Sequence, residues 1–223
     1  PAVCGEKMWP IAYAAPQQFA QRAIAGMWQQ LGGQLSGQVR DGAVPANLQP
    51  IFNAESATLA ETIRDINKYS NNVMAQHVFL TLSQQQRGVG SFDASRDVMQ
   101  RWWRERVGGE VPTFDNGSGL SREERISAQA LARLLQVAWA SPNMSELMSS
   151  LPVTGLDGTM KRSKAQASAH LKTGSLRDVA GVAGYVDTAS GKRLVVVAIL
   201  HHANANAARP ALDAMIDWAS KQP

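Results

Sequence analysis

The chain has 223 residues and a net charge of +4, with 44% hydrophobic and 18% charged residues. This length and composition are ordinary for a globular protein whose single domain buries a sizeable core. The basic residues are scattered without an interleaved aromatic stripe, which argues against nucleic-acid binding, and no apolar run approaches the length of a membrane span. The single cysteine, Cys4, has no partner for an internal disulfide.

The first part of the chain predicts helices. Residues 16–31 form the first one, because a proline stands in the first turn and two glycines follow the last turn. A second helix is predicted to start after Ser56 and to end near Lys68, with Thr58 and Glu61 at the spacing of a capping box. Its predicted buried stripe consists of Leu59, Ile63 and Ile66. A third helix is predicted to open at Asn71 and Asn72.

The pattern changes from helices to strands along the second half. Three further helices are predicted at residues 93–107, 127–140 and 145–151, and a turn cluster at 115–119. Three strands are predicted at residues 167–173, 179–186 and 194–200, followed by a helix at 210–221. Short links between successive strands imply antiparallel pairing. The chain therefore predicts one domain of the α/β (α+β) class, with helices first and an antiparallel sheet last.

Two short motifs carry the chemistry. Ser70-Asn71-Asn72 lies at a predicted helix–helix junction and Lys172-Thr173-Gly174 at the end of a predicted strand. Together they read as the S-x-N and K-T-G elements of a penicillin-recognising serine site. No serine in the chain is followed three residues later by lysine, so the S-x-x-K nucleophile motif is absent. The sequence predicts two walls of a catalytic cleft without its nucleophile.

Each residue of K-T-G suits one task in acyl transfer to a serine. Lys172 would attract a substrate carboxylate and keep a neighbouring catalytic lysine neutral, and the Thr173 hydroxyl would hydrogen-bond that carboxylate. Gly174, with no side chain, would let a peptide lie against the strand edge. The backbone N–H of Ser175 would point at the developing oxyanion.

In S-x-N, Ser70 would relay a proton between the catalytic lysine and the leaving group, and Asn72 would orient the substrate amide. Taken singly, both motifs have structural explanations: an Asx-type helix cap for residues 70–72 and a hairpin turn for Gly174. Their placement and order favour the active-site interpretation.

Four segments in order resemble the class C low-molecular-mass penicillin-binding proteins, the DacB-type D-alanyl-D-alanine carboxypeptidases/endopeptidases. The segments are I-N-K-Y-S-N-N-V-M-A (66–75), D-N-G-S-G-L-S-R (115–122), L-P followed by G-L-D-G-T-M (151–160), and H-L-K-T-G-S-L (170–176). Asn116 is interposed relative to the family's D-G-S-G-L-S-R. The resemblance extends from about Cys4 to the end of the chain.

The resemblance implies a β-lactamase/transpeptidase-like fold, with helices flanking an antiparallel sheet. It implies a periplasmic serine peptidase that forms an acyl-enzyme on peptidoglycan stem peptides ending in D-Ala-D-Ala, is also acylated by β-lactams, and uses no metal or organic cofactor. Arg122 would engage the carboxylate of diaminopimelate at the side-chain end of the stem peptide; a surface arginine at a helix end is the alternative. Asp115 and Asp157 are expected to form turns, and His77, His170, His201 and His202 to pack rather than bind metal.

The family's S-x-x-K lies far upstream of S-x-N, beyond inserted accessory domains. The resemblance therefore implies that residues 1–223 are the C-terminal portion of a penicillin-binding domain, expected to be inactive alone. Three strands would leave an edge and a face uncovered, so the missing N-terminal part of the same protein or a second copy in a homo-oligomer is an expected partner. A non-catalytic module that binds peptidoglycan peptides or assembly partners remains the alternative function.

Overall fold

The computed structural model describes residues 13–223, so Cys4 lies outside the described residues. The chain divides into two compact units, residues 1–55 and 56–223. In the first unit, helix α1 spans Phe19–Gln30 after a 3-10 turn at Pro16–Gln18, which confirms the predicted first helix. Helix α1 buries no residue, and residues 33–55 contain neither helix nor strand.

The second unit contains six α-helices and three strands among the described residues. The helices are α2 (Leu59–Tyr69), α3 (Asn72–Arg87), α4 (Phe92–Trp102), α5 (Ala128–Trp139), α6 (Met144–Ser150) and α7 (Arg209–Ser220). The strands are β1 (Ala169–Leu176), β2 (Val179–Asp187) and β3 (Arg193–His201). They form one antiparallel sheet in the order β1-β2-β3. The predicted class, helices with an antiparallel sheet, is confirmed.

Helices cover both faces of the sheet, so the expectation of an uncovered face was wrong. On one face, α7 contributes Ile216 and Ala219 to a core with Leu171 and Val186 of the strands. On the other face, α5 and α6 pack against Tyr185, whose hydroxyl donates to the Leu135 carbonyl at 2.7 Å. The sheet is thus the middle layer of a three-layer unit, and the active-site motifs lie at its β1 side.

Helix α2 begins as the sequence predicts, but its buried stripe is narrower. Thr58 and Glu61 form the capping box in both directions. Ile63 and Ile66 are partly buried, whereas Leu59 is 64% exposed. The inclusion of Leu59 in the buried stripe was wrong, because this residue occupies the first turn of α2 and lines an open groove with Met74 and His77 of α3.

The first strand runs further than the sequence predicts. Gly174 pairs with Gly181 and Leu176 with Val179, so the K-T-G motif lies inside β1 rather than at its end. The turn is formed by the two residues 177–178 between β1 and β2. The alternative explanation of Gly174 as a hairpin turn is therefore wrong.

None of the helices between residues 13 and 223 is both long enough and apolar enough to cross a membrane.

Candidate active site

Ser70 stands at a tight junction between α2 and α3. It is the C-cap of α2 with a φ of 54° and lies in the left-handed region; it is the one residue other than glycine with positive φ in the described part of the chain. Asn71 then caps α3, because its side-chain oxygen accepts from the Met74 N–H at 3.1 Å. The capping role predicted as an alternative belongs to Asn71, which leaves the Ser70 hydroxyl free for another partner.

That partner is Lys172. Its ammonium donates to Ser70 Oγ and to the Thr173 carbonyl at 2.9 Å. Two motifs that are 102 residues apart in sequence thus meet through their side chains. Because no salt bridge between described residues includes Lys172, its charge has no carboxylate partner there.

Burial lowers the pKa of Lys172 below its ordinary value. The side chain is half-buried, and removing an ammonium from water without an anion nearby disfavours the charged form. A bound carboxylate would reverse that disadvantage, since an opposite charge at close range favours the ammonium. The site is therefore suited to an anionic ligand.

Asn72 is positioned by the turn cluster at residues 115–119. Its side-chain amide donates to the Ser118 carbonyl at 2.6 Å. Asn116, the residue interposed in the family pattern, accepts from both the N–H and the hydroxyl of Ser118, at 2.9 and 2.6 Å. The turn also lies close to α3, because a Cβ on Gly117 would be 2.4 Å from Phe79. Because the Asn72 amide nitrogen donates to the Ser118 carbonyl, the side-chain oxygen stays available to accept from a substrate amide.

The outer edge of β1 presents backbone groups at the K-T-G motif. Leu171 donates its N–H to the Pro152 carbonyl at 2.8 Å, away from β2. Because N–H groups alternate in direction along a strand, those of Thr173 and Ser175 point to the same outer edge. A Cβ on Gly174 would meet nothing within 4 Å. Neither of these two N–H groups donates to a backbone carbonyl among the described residues. The edge is thus open for an extended peptide, and the Ser175 N–H is directed outward, as an oxyanion donor must be.

The side chains of Thr173 and Ser175 have partners of their own. Thr173 Oγ1 donates to Thr159 Oγ1 at 2.7 Å. Ser175 Oγ donates to the Asn206 side-chain oxygen at 2.9 Å and accepts from Arg209 at 3.1 Å. Ser175 can therefore contribute its backbone to a ligand without losing its side-chain contacts.

Arg122 lies apart from this group in the described structure. Its guanidinium forms an ion pair with Asp178 in the β1–β2 turn, and His201 at the end of β3 lies 3.3 Å from the other Asp178 oxygen. The Arg122 hydrogen bond holds the pKa of Asp178 below its ordinary value. Arg122 is 54% exposed and sits in a loop, not at a helix end. No hydrogen bond among the described residues joins it to Ser70 or Lys172.

The ion pair between Lys68 and Asp157, which lies just behind Ser70, is not predicted from the sequence. The two charged atoms are 2.6 Å apart, and Asp157 also accepts from the Val153 N–H at 2.9 Å. Burial by itself raises the pKa of Asp157, but the hydrogen bonds from Lys68 and Val153 outweigh it, so the pKa is lowered. The prediction of a purely turn-forming Asp157 is incomplete; the lysine in the last turn before S-x-N was the available signal.

Within residues 13–223, the structure contains no group of three or more histidine, cysteine, aspartate or glutamate side chains that could hold a metal ion. His201 has Asp178 as its neighbour, and His170 hydrogen-bonds to the Met148 carbonyl at 3.1 Å.

An antiparallel sheet between helical layers, with S-x-N at a helix junction facing K-T-G on an edge strand, defines the class of penicillin-binding proteins and serine β-lactamases. The chain belongs to the D-Ala-D-Ala carboxypeptidase 3 (S13) family, whose model matches residues 1–222. It is 30% identical, over 72% of its length and 32% of the relative's, to a D-alanyl-D-alanine carboxypeptidase of Actinomadura sp..

Solved structures agree on the fold. Penicillin-binding protein 4 (dacB) of Haemophilus influenzae, in complex with a β-lactam, superposes with a TM-score of 0.79 at 20% identity, over 95% of this chain and 53% of that chain. An extended-spectrum β-lactamase superposes with a TM-score of 0.52 at 15% identity, over 74% of this chain and 66% of that one. The predicted β-lactamase/transpeptidase-like fold is confirmed. The chain spans 32% to 40% of the length of the curated relatives it matches.

Proposed function

We propose that residues 1–223 are the C-terminal portion of a penicillin-binding domain and supply two walls of its active site. The whole protein is a serine-type D-Ala-D-Ala carboxypeptidase/endopeptidase that acts on peptidoglycan stem peptides and is acylated by β-lactams. The observation that carries this proposal is the contact between Lys172 and Ser70, which joins K-T-G to S-x-N. Membership of the family supports it.

The nucleophile comes from elsewhere in the same protein, because these 223 residues contain no S-x-x-K. That serine attacks the carbonyl of the penultimate D-Ala and gives its proton to the lysine of the same motif. The Ser175 N–H stabilises the oxyanion that forms. Lys172, which lacks an anionic partner among the described residues, binds the terminal carboxylate. The Thr173 hydroxyl assists by exchanging its bond to Thr159 for one to that carboxylate.

Ser70 completes the proton transfer. An ammonium can only donate, so Ser70 Oγ accepts from Lys172 and its own O–H remains free to donate to the leaving amine. The proton taken by the S-x-x-K lysine passes through Ser70, the C–N bond breaks, and D-Ala leaves. Water then hydrolyses the acyl-enzyme. A β-lactam ring opens by the same steps, while Asn72 orients the amide of either ligand.

Membership of the family implies further properties of the protein. Arg122 engages the carboxylate of the diaminopimelate side chain, for which it must exchange its contact with Asp178. The location is the periplasm, and the N-terminal part of the same protein covers surfaces of this portion. No metal or organic cofactor takes part.

Covalent labelling of the native protein with fluorescent penicillin tests the proposal. We expect one adduct, on a serine outside these 223 residues, and no labelling or D-Ala-D-Ala peptide binding by the isolated chain. Replacement of Lys172 by Met is expected to slow labelling by about a hundredfold, the usual effect of removing one electrostatic stabiliser. Lys192→Met, an exposed lysine in the β2–β3 turn, is the matched control and should label normally.

Labelling of a serine inside this chain would contradict the proposal. If the native protein bound a D-Ala-D-Ala peptide without ever being labelled, the chain would instead be part of a non-catalytic peptide-binding module.

A further inference from the structure

Lys68 connects the end of α2 to the segment of residues 151–160. Its side chain is only 12% exposed, and Nζ donates to the Leu151 carbonyl and to Asp157, each at 2.6 Å. A second bond runs in parallel, from the Asn67 amide to the buried Ser150 hydroxyl at 2.8 Å. A nearly buried cation thus lies directly before the S-x-N motif.

The backbones of the two segments also touch. A Cβ on Gly158 would lie 2.5 Å from the Lys68 carbonyl oxygen, and Gly158 has a φ of +52°. Such a close approach leaves no room for a side chain at this position. The backbone under Ser70 therefore rests on the backbone of Gly158, next to the Lys68–Asp157 ion pair.

The same segment reaches the other wall of the site. The Thr159 hydroxyl accepts from Thr173 at 2.7 Å, and the Pro152 carbonyl accepts from the Leu171 N–H at 2.8 Å. Residues 151–160 therefore contact α2 just before Ser70 and β1 on both sides of Lys172. This segment is the physical link between the two walls.

We propose that Lys68, Asp157 and Gly158 are positioning residues, which hold Ser70 at hydrogen-bonding distance from Lys172. Ser70 occupies a left-handed conformation, which costs a residue with a side chain about 1 kcal/mol and persists only where the surroundings impose it. The Lys68–Asp157 ion pair and the Gly158 contact fix the chain before Ser70, and the Asn71 cap of α3 fixes the chain after it. Together they impose the left-handed conformation. None of the three residues touches the reacting atoms. The inference rests on the proposed function and adds to it the device that fixes the proton relay.

Two measurements on the native protein separate positioning from stability. The variants are Lys68→Met, which removes both donated bonds, and Asp157→Asn, which removes the charge of the acceptor. The control is Asp187→Asn, which breaks the Asp187–Arg193 pair of the β2–β3 hairpin; Asp187 is 34% exposed and Asp157 39%. All three should lower the thermal midpoint.

The first measurement is the rate constant of acylation at saturating fluorescent penicillin, well below the thermal midpoint. We expect Lys68→Met and Asp157→Asn to lower it about tenfold to a hundredfold, as for a misplacement of about 1 Å, with little change in the half-saturating concentration. Lys68→Arg should recover part of the rate. The Asp187→Asn control should acylate at the wild-type rate. An unchanged rate in both test variants would reduce the ion pair to a stability element and overturn the proposal.

The second measurement is amide hydrogen exchange, which does not depend on activity. Exchange in a peptide covering residues 66–75 should accelerate in Lys68→Met and Asp157→Asn, and should stay unchanged in the control. If the wild-type protein is not labelled by penicillin, the proposed function fails, and the exchange result alone decides the positioning role. Unchanged exchange in this peptide would overturn it.

Discussion

Lys172 and Ser70 face each other across the site, but the backbones beneath them are held by different interactions. Lys172 lies in the middle of β1, where hydrogen bonds to β2 and the core under Leu171 fix the main chain. Ser70 lies at a helix junction, where one left-handed residue, one cap and the Lys68–Asp157 pair fix it.

The two walls should therefore be sensitive to different substitutions. The strand wall, which is the K-T-G side of the site on β1, depends on the close approach of neighbouring backbones. It should therefore lose stability when a side chain is added between strands. The junction wall, which is the S-x-N side of the site between α2 and α3, depends on a few side chains and on the left-handed conformation of Ser70. It should therefore be disturbed when those side chains are removed or that conformation becomes unfavourable. Substitutions that alter one side of the site at a time test this difference.

The largest effect on stability is expected from Gly184→Ala in β2. A Cβ at this position would lie 2.1 Å from the His170 carbonyl oxygen and 3.0 Å from the Leu171 Cα, both backbone atoms of β1. Because a strand inside a sheet cannot move aside, we expect a loss of about 3 kcal/mol in the free energy of unfolding, at the upper end for overpacking. Urea denaturation measures it.

Gly174→Ala is the matched control, since the same methyl group on β1 would enter open space. Its unfolding free energy should stay within about 0.5 kcal/mol of wild type. Equal destabilisation by the two substitutions would show that backbone approach does not define the strand wall.

A smaller effect is expected at the junction, from Ser70→Gly compared with Ser70→Ala. Both variants lose the hydroxyl that Lys172 contacts, so both should slow penicillin labelling of the native protein. Their stabilities should differ, because glycine adopts a φ of 54° freely and alanine does not. We expect Ser70→Gly to be more stable than Ser70→Ala by about 1 kcal/mol. The difference in urea midpoints checks this, and equal midpoints would mean that Ser70 carries no backbone strain.

The sequence predicts the fold well where local signals are strong. The capping box at Thr58 and Glu61 located the start of α2, and alternating apolar residues located all three strands. The end of β1 was misplaced, because Gly174 suggests a turn by composition alone. Only the pairing of Gly174 with Gly181 shows that the hydrogen-bond ladder continues past this residue. The sequence of a single strand does not specify which residues of the neighbouring strand it pairs with.

The site was predicted unevenly for a similar reason. S-x-N and K-T-G are contiguous motifs, so the pattern identifies them, and the structure brings Ser70 and Lys172 together. The Lys68–Asp157 pair joins residues 89 positions apart, and neither stands in a motif whose chemistry requires a partner. The free edge at Thr173 and Ser175 likewise depends on which side of β1 the sheet occupies, which the sequence of one strand cannot specify.

The smallest expected effect is the pH dependence that Lys172 gives to stability. Burial lowers its pKa in the folded state from the ordinary value of 10.5. Below the lowered pKa, Lys172 is charged in both states, and the folded state bears the full cost of burying the ammonium. As the pH rises through the lowered pKa, the folded state releases the proton while the unfolded state keeps it. The unfolded state then binds more protons, so stability rises with pH until the ordinary pKa is passed.

Comparison with Lys172→Met isolates this contribution, because the other titrating groups, including Tyr185 with its raised pKa, are common to both proteins. The unfolding free energy of the wild type should rise relative to that of the variant as the pH increases from neutrality towards 10.5. The decisive quantity is the slope of this free-energy difference against pH, since the lost bonds to Ser70 and Thr173 add mainly a constant offset to it. Lys192→Met, at an exposed position, should show no such slope. A pH-independent difference in unfolding free energy for Lys172→Met would mean that burial imposes no cost on the Lys172 ammonium. The attraction for a substrate carboxylate would then not arise from burial.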